Sequence, residues 1–244
     1  MAAIRSMALV LRSVDVFESS RVLTLFTRDL GKVSALAKGA RRLKSPFGSG
    51  LDLLSICDIV LLHKASDALD LLTEAMLVER HDPFRRDLAA LYAGYYVAEL
   101  LHDLTDHHDP HPRLFDAARV TLRHLGDPAL RARRVLRFEM ACLRELGHMP
   151  ALEACVHCGE IVETRSDAVA FGLATGGVLC PGCRPGQPHV ATLSGQTIGA
   201  LRAFSEPGNA WRDPGLPIAS ARATLGSVMS HLIGKRPRML SYLS

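Results

Sequence analysis

The stretch Arg21-Val-Leu-Thr-Leu-Phe-Thr-Arg-Asp-Leu-Gly-Lys-Val-Ser-Ala-Leu-Ala-Lys38 decides how the front of the chain folds. Arg21–Thr27 and Val33–Lys38 read as short strands. Between them, Arg28-Asp29-Leu30-Gly31 supplies an acidic turn former and a glycine free to take positive φ, so the two strands form a hairpin. Working outward, Met7–Arg12 is a strand before the hairpin; Ile56–His63 and Leu69–Val78 follow it, separated by the polar turn Lys64-Ala-Ser-Asp67. Five short strands in roughly 80 residues fit a small closed barrel, because closure removes the exposed edges of a flat sheet. An OB-fold is expected over residues 1–80.

Beyond His81-Asp82-Pro83 the apolar period changes from two to about 3.6. Leu88, Leu91, Tyr92, Tyr95, Ala98 and Leu101 share one helical face; Leu114, Ala118, Thr121, Leu122 and Leu125 share another. A third helix spans about 129–146 and buries Val135, Phe138, Cys142 and Leu146, with Gly147 ending it. Two more are predicted at 194–204 and 218–233. The fold class is therefore α+β: a five-stranded OB-fold barrel, then an all-helical domain at 81–244 carrying a cysteine-rich insertion at about 152–188.

Of 244 residues, 48% are hydrophobic and 22% charged, which is the composition of a globular chain and excludes collagen, coiled coil and disorder. No apolar run reaches the ~18 residues of a membrane span, and Arg5, Arg12, Asp15, Glu18 and Arg21 interrupt the region where a secretory signal would lie. A cytoplasmic, nucleoid-associated protein without a membrane partner is expected. The net charge of +4 is unevenly spread. Residues 1–45 hold 9 basic and 3 acidic side chains, residues 46–130 hold 7 and 14, and residues 131–244 hold 13 and 8. Two positive segments thus flank an acidic one, each suited to phosphates or an acidic peptide.

Cys155-Val-His-Cys158 and Cys180-Pro-Gly-Cys183 form C-x2-C-x21-C-x2-C, close to zinc-ribbon spacing. Two intervening residues let one tight turn present both thiolates to the same ion. Four thiolates close the coordination shell, so Cys155, Cys158, Cys180 and Cys183 are expected to hold one structural Zn²⁺ per chain, with no position left for a catalytic water. Cys57 and Cys142 lie in apolar patterns and read as core.

Lys38-Gly-Ala-Arg41-Arg42-Leu-Lys44-Ser45 is a cationic loop leaving the third strand. Lys38, Arg41, Arg42 and Lys44, with Lys32 nearby, are candidates for contact with a nucleic-acid backbone. Aromatic platforms are scarce there, only Phe17, Phe26 and Phe47 preceding residue 50, which favours phosphate contact over base readout. Arg133, Arg137 and Arg144 fall within about 40° of one another on a helical wheel and form a candidate grip for an acidic tail or for phosphates. The run His102-Asp-Leu-Thr-Asp-His107-His108-Asp-Pro-His111 mixes imidazole and carboxylate but matches no helical metal-binding pair. Phosphate-binding loops and nucleophile elbows are absent from the sequence, so no catalytic residue is assigned.

Several of these segments together resemble the RecO family of DNA repair and recombination mediators. The likeness runs through Arg21–Thr27 with Gly31-Lys32 and through Lys38–Ser45. It continues in Arg137-Phe-Glu139, then Leu146-Gly147, Pro150 and Cys155-x-x-Cys158-Gly159, and it ends at Gly234–Leu243. It implies an OB-fold with a helical domain, binding of single- and double-stranded DNA, and annealing of complementary strands without ATP. It also implies partners: the acidic C-terminal tail of single-stranded DNA-binding protein, RecR, and indirectly the RecA recombinase, whose loading on coated strands is the outcome. Two alternatives stay open: a zinc-containing nucleic-acid-processing enzyme using the histidine run, and a protein adaptor with little DNA affinity.

Overall fold

In the computed structural model, which describes residues 2–42, 45, 47, 50–63, 69–164 and 168–243, the hairpin read from Arg21–Lys38 is the centre of a closed barrel. Its strands are β1 (Ala2–Val16), β2 (Ser20–Thr27), β3 (Gly31–Ala37), β4 (Ile56–His63) and β5 (Asp70–Glu79), joined in the order β1-β2-β3-β5-β4. β1 is much longer than its apolar pattern indicated, because it pairs with β2 along one edge and β4 along the other and bends at a register shift between Val10 and Arg12. Closure comes from a short parallel pairing of β3 with β5, Ala35 opposite Asp70 through Ala37 opposite Leu72.

Alternation fills the barrel. Ala8, Val10, Leu23, Leu25, Val33, Ala35, Ala37, Ile59, Leu61 and Leu72 are buried in one cluster. The opposite face of the hairpin is covered as well, since fully buried Phe26 meets Phe115 at a ring separation of 6.3 Å. Phe115 lies on α2 (Pro112–His124), which follows α1 (Leu88–Leu104). At the hairpin turn Gly31 takes φ 69°, and a Cβ there would lie 2.2 Å from the Asp109 carbonyl oxygen, so the backbones approach too closely for any side chain.

Tertiary contacts divide the chain into two compact units, Met1–Gly126 and Asp127–Ser244. The boundary drawn at 80/81 marks the change from strands to helices, and α1 and α2 share the first unit with the barrel.

The second unit packs α3 (Arg131–Glu145), α4 (Gly195–Ser205) and α5 (Ile218–Ile233) on one another. Ser194 caps α4 by accepting from the Thr197 N–H, and Gly234 closes α5 in the left-handed conformation. Between α3 and α4 lies a three-stranded sheet absent from the sequence reading: β6 (Val169–Gly172), β7 (Gly177–Val178) and β8 (Val190–Leu193), ordered β7-β6-β8. Runs of two to four residues are too short to display a period. No helix among the described residues is long and apolar enough to cross a membrane.

Candidate metal centre and nucleic-acid interface

Two tight turns build the cysteine cluster. At the first, the Gly159 N–H donates to the Cys155 carbonyl (2.9 Å) and Gly159 takes φ 75°; at the second, the Cys183 and Arg184 N–H groups donate to the Cys180 carbonyl (3.1 and 3.0 Å). The small sheet holds the two turns together, the Val156 N–H donating to the Val178 carbonyl and the Leu179 N–H to the Ala170 carbonyl. The four sulfurs then lie within 4.8 Å of one another, and those of Cys158 and Cys180 are 3.7 Å apart. A tetrahedral ion with metal–sulfur bonds of about 2.3 Å spaces its sulfurs about 3.8 Å apart, so the cage fits such an ion. Backbone N–H groups of Cys158 and then Cys180 pull the Cys155 thiol down to about 6, whereas hydrogen bonding with the thiols of Cys180 and Cys158 pushes Cys183 up to about 12. One thiolate forms readily and its neighbours resist; a divalent cation removes that conflict.

Cys57 and Cys142 are buried and do not belong to this cluster, burial pushing Cys57 up to about 11 and Cys142 well above the ordinary thiol value. Both are core residues.

The cationic loop leaves β3 and folds back on the β1–β2 hairpin. The Arg41 N–H donates to the Ser19 carbonyl (3.0 Å), and the Asp15 carboxylate pairs with both Arg21 (2.9 Å) and Arg41 (3.4 Å). Lys38 and Arg42 are exposed and form no ion pair among the described residues. Lys44 lies outside the described residues.

Lys32 is not on this surface. It is 6% exposed, and its Nζ donates to the carbonyls of His102 (2.6 Å) and Thr105 (2.5 Å) at the end of α1. Burial pulls its pKa below the ordinary lysine value, against the opposing charges of Asp106 and Asp103. The reason is positional: Lys32 stands opposite Phe26 across the hairpin, on the face that the helices cover.

The histidine run serves the same packing. The His108 N–H donates to the Lys32 carbonyl (3.0 Å), and His107 bridges to Lys32 alongside β3. His102 faces Asp103 and His111 faces Asp109, each at 3.0 Å. The cysteine cluster is the only group of three or more potential ligands gathered together among the described residues.

On α3 the three arginines do converge, and their targets are backbone carbonyls. Arg133 donates to the Trp211 carbonyl (3.2 Å), Arg137 to those of Phe204 and Glu206, and Arg144 to that of Ser205. The last carbonyls of α4 have no partners within the helix and sit at the negative end of its dipole, so guanidinium groups cap it favourably. Arg144 alone of the three remains exposed.

Comparison with known proteins places this geometry. The family model "Recombination protein O N terminal" matches residues 1–81, and "Recombination protein O C terminal" matches residues 85–217. The chain is 48% identical over 202 residues to DNA repair protein RecO of Rhodopirellula baltica, covering 82% of this chain and 75% of that protein. It is 35% identical over 241 residues to that of Anaeromyxobacter dehalogenans, covering 97% and 94%.

The chain belongs to the RecO family.

This is a family of DNA repair mediators and not of catalysts, and the chain spans most of its relatives' length. The RecO N-terminal match contains the whole barrel and the cationic loop; the C-terminal match contains the cysteine cage and the arginine row of α3. Sequence reasoning missed Asp15, which holds two of the loop-side arginines, and the carbonyls at the end of α4. The acidic residue directly across from Arg21 in a hairpin was a readable signal for the first. The second had none, because the acceptors are main-chain atoms some sixty residues away.

Proposed function

We propose that this RecO protein binds single- and double-stranded DNA, anneals complementary strands without ATP, and helps load the recombinase RecA on strands coated by single-stranded DNA-binding protein, with RecR as a further partner, inside the cytoplasm. The observation that carries the reading is the exposed set Lys38, Arg41 and Arg42 on a closed barrel, continued in sequence by Lys44. Cations at such a surface offset repulsion between two phosphate backbones, and base pairing then supplies both specificity and driving force. The cysteine cage holds a single structural zinc, four thiolates being its common closed shell. Arg133, Arg137 and Arg144 are the proposed receptor for the acidic tail of single-stranded DNA-binding protein, through guanidinium donors that their backbone carbonyl partners leave over.

The test is the salt dependence of binding to a single-stranded oligonucleotide. Each phosphate contact contributes about 0.7 to the slope of log affinity against log salt, so replacing Lys38, Arg41, Arg42 and Lys44 by Ala should flatten it by roughly 3. Stability should hardly change, since exposed charges contribute little to folding. A folded variant with the wild-type slope would place the DNA path elsewhere. Complementary strands should also anneal faster with the protein present, equally with and without ATP.

A further inference from the structure

The β1–β2 hairpin turns at Phe17, whose side chain is 86% exposed and whose backbone takes φ 52°. Both features are unfavourable for a large apolar residue: water meets nearly the whole ring, and the left-handed conformation crowds its Cβ. Neither is relieved within the barrel. Such an outlier is a reason to ask what the ring meets when the protein works.

Its surroundings narrow the answer. Val16 pairs with Ser20 and Asp15 with Arg21 just below the turn, and the cationic loop is tied to the same turn through the Ser19 carbonyl. The turn that carries Phe17 therefore has Arg21 and Arg41 beside it, both paired with Asp15, with the exposed Arg42 next in the chain and Glu18 as the other acidic residue of the turn. An apolar protein surface would be poorly matched to one ring among guanidinium groups. A nucleic-acid strand is well matched, for it brings a flat π-face and a phosphate together. Duplex DNA stacks its base faces inside; only an unpaired strand offers them.

We propose that Phe17 is a stacking platform for one unpaired nucleobase, with Arg21, Arg41 and Arg42 holding the flanking phosphates. This rests on the DNA-binding reading above and adds a preference that phosphate contact alone does not provide. In the free protein the Asp15 carboxylate occupies Arg21 and Arg41, and an incoming phosphate replaces it. Once complementary strands pair, the base leaves the platform because its face is buried in the duplex, so the site favours the reactants of annealing over the product.

The experiment compares two labelled 20-nucleotide strands of equal charge, oligo(dT) and an abasic phosphodiester strand, by fluorescence anisotropy with the full-length protein at fixed salt. Wild type should bind oligo(dT) more tightly, and Phe17→Ala should lose roughly 5- to 140-fold on oligo(dT), the range for removal of one base–aromatic stack, while binding the abasic strand as before. Phe17→Gly suits the positive φ and keeps the hairpin folded; it should behave as Ala does, whereas Phe17→Trp should retain the preference. Equal wild-type affinity for both strands, or an unchanged ratio in the Ala and Gly variants, would overturn the platform. The phosphate reading is tested apart from it, on the abasic strand alone: if replacing Arg41 and Arg42 by Ala leaves that affinity unchanged, the phosphate contacts fail whatever the ratio shows.

Discussion

Cys158 is the exposed member of a cage whose other members are buried or half-buried, so it separates metal loss from loss of packing. The core around the cage is small: Cys155, Ala170, Leu179 and Cys180, with a few half-buried neighbours. A core of that size cannot hold the insertion at about 152–188 by itself, whereas structural zinc sites contribute on the order of 10 kcal/mol to folding. Cys158→Ser should therefore abolish binding of the proposed zinc and open the module to proteolysis, with the barrel and helices intact. Metal analysis and limited digestion measure both, and a wild-type zinc content near zero after purification under reducing conditions would refute the assignment. The cage was legible because paired C-x-x-C spacing is a local signal. Lys32 was not, since a lysine in a strand reads as solvent-facing until the covering of the outer face is known, and that depends on helices seventy residues on.

Among the elements, the barrel depends on a clasp at the end of β5. Burial raises the Glu79 pKa, but hydrogen bonds and charge from Arg123 and Arg119 of α2 outweigh it and hold the carboxyl below the ordinary glutamate value. A depressed folded pKa means stability that is present above the unfolded value of about 4.3 and is lost as pH falls through the folded one. Glu79→Gln should accordingly cost about 1–3 kcal/mol at pH 7, and the gap between variant and wild type should shrink in acid well below pH ~4.3. Denaturant unfolding at the two pH values measures this; a pH-independent gap would mean that packing, not the ion pairs, is what the substitution removes. The strands of the barrel were legible from Leu23, Leu25, Val33 and Ala35, whose alternation marks the inner face. Its closure was not: the pairing of Ala35–Ala37 with Asp70–Leu72 joins segments more than thirty residues apart and leaves no mark on either.

At the scale of the whole chain, the two positive segments carry the two proposed binding surfaces, which mutation can separate. The front one, residues 1–45, carries the loop proposed to hold DNA; the rear one carries the arginine row of α3. Arg137 is a poor probe of the rear surface, because its guanidinium caps α4 through the carbonyls of Phe204 and Glu206 and its removal would loosen that helix end. Arg144 is exposed and has a single carbonyl partner in Ser205, so charge reversal there disturbs the fold least. Arg144→Glu should weaken binding of an acidic C-terminal peptide from single-stranded DNA-binding protein at least tenfold while leaving the affinity and salt slope for naked DNA at wild-type values, because losing an ionic partner and gaining repulsion together exceed about 1.4 kcal/mol. The Lys38, Arg41, Arg42 and Lys44 variant should show the reverse, full peptide binding with a flattened DNA slope. If either variant loses both activities, one surface serves both ligands, and competition between the peptide and DNA for the wild-type protein would then follow directly.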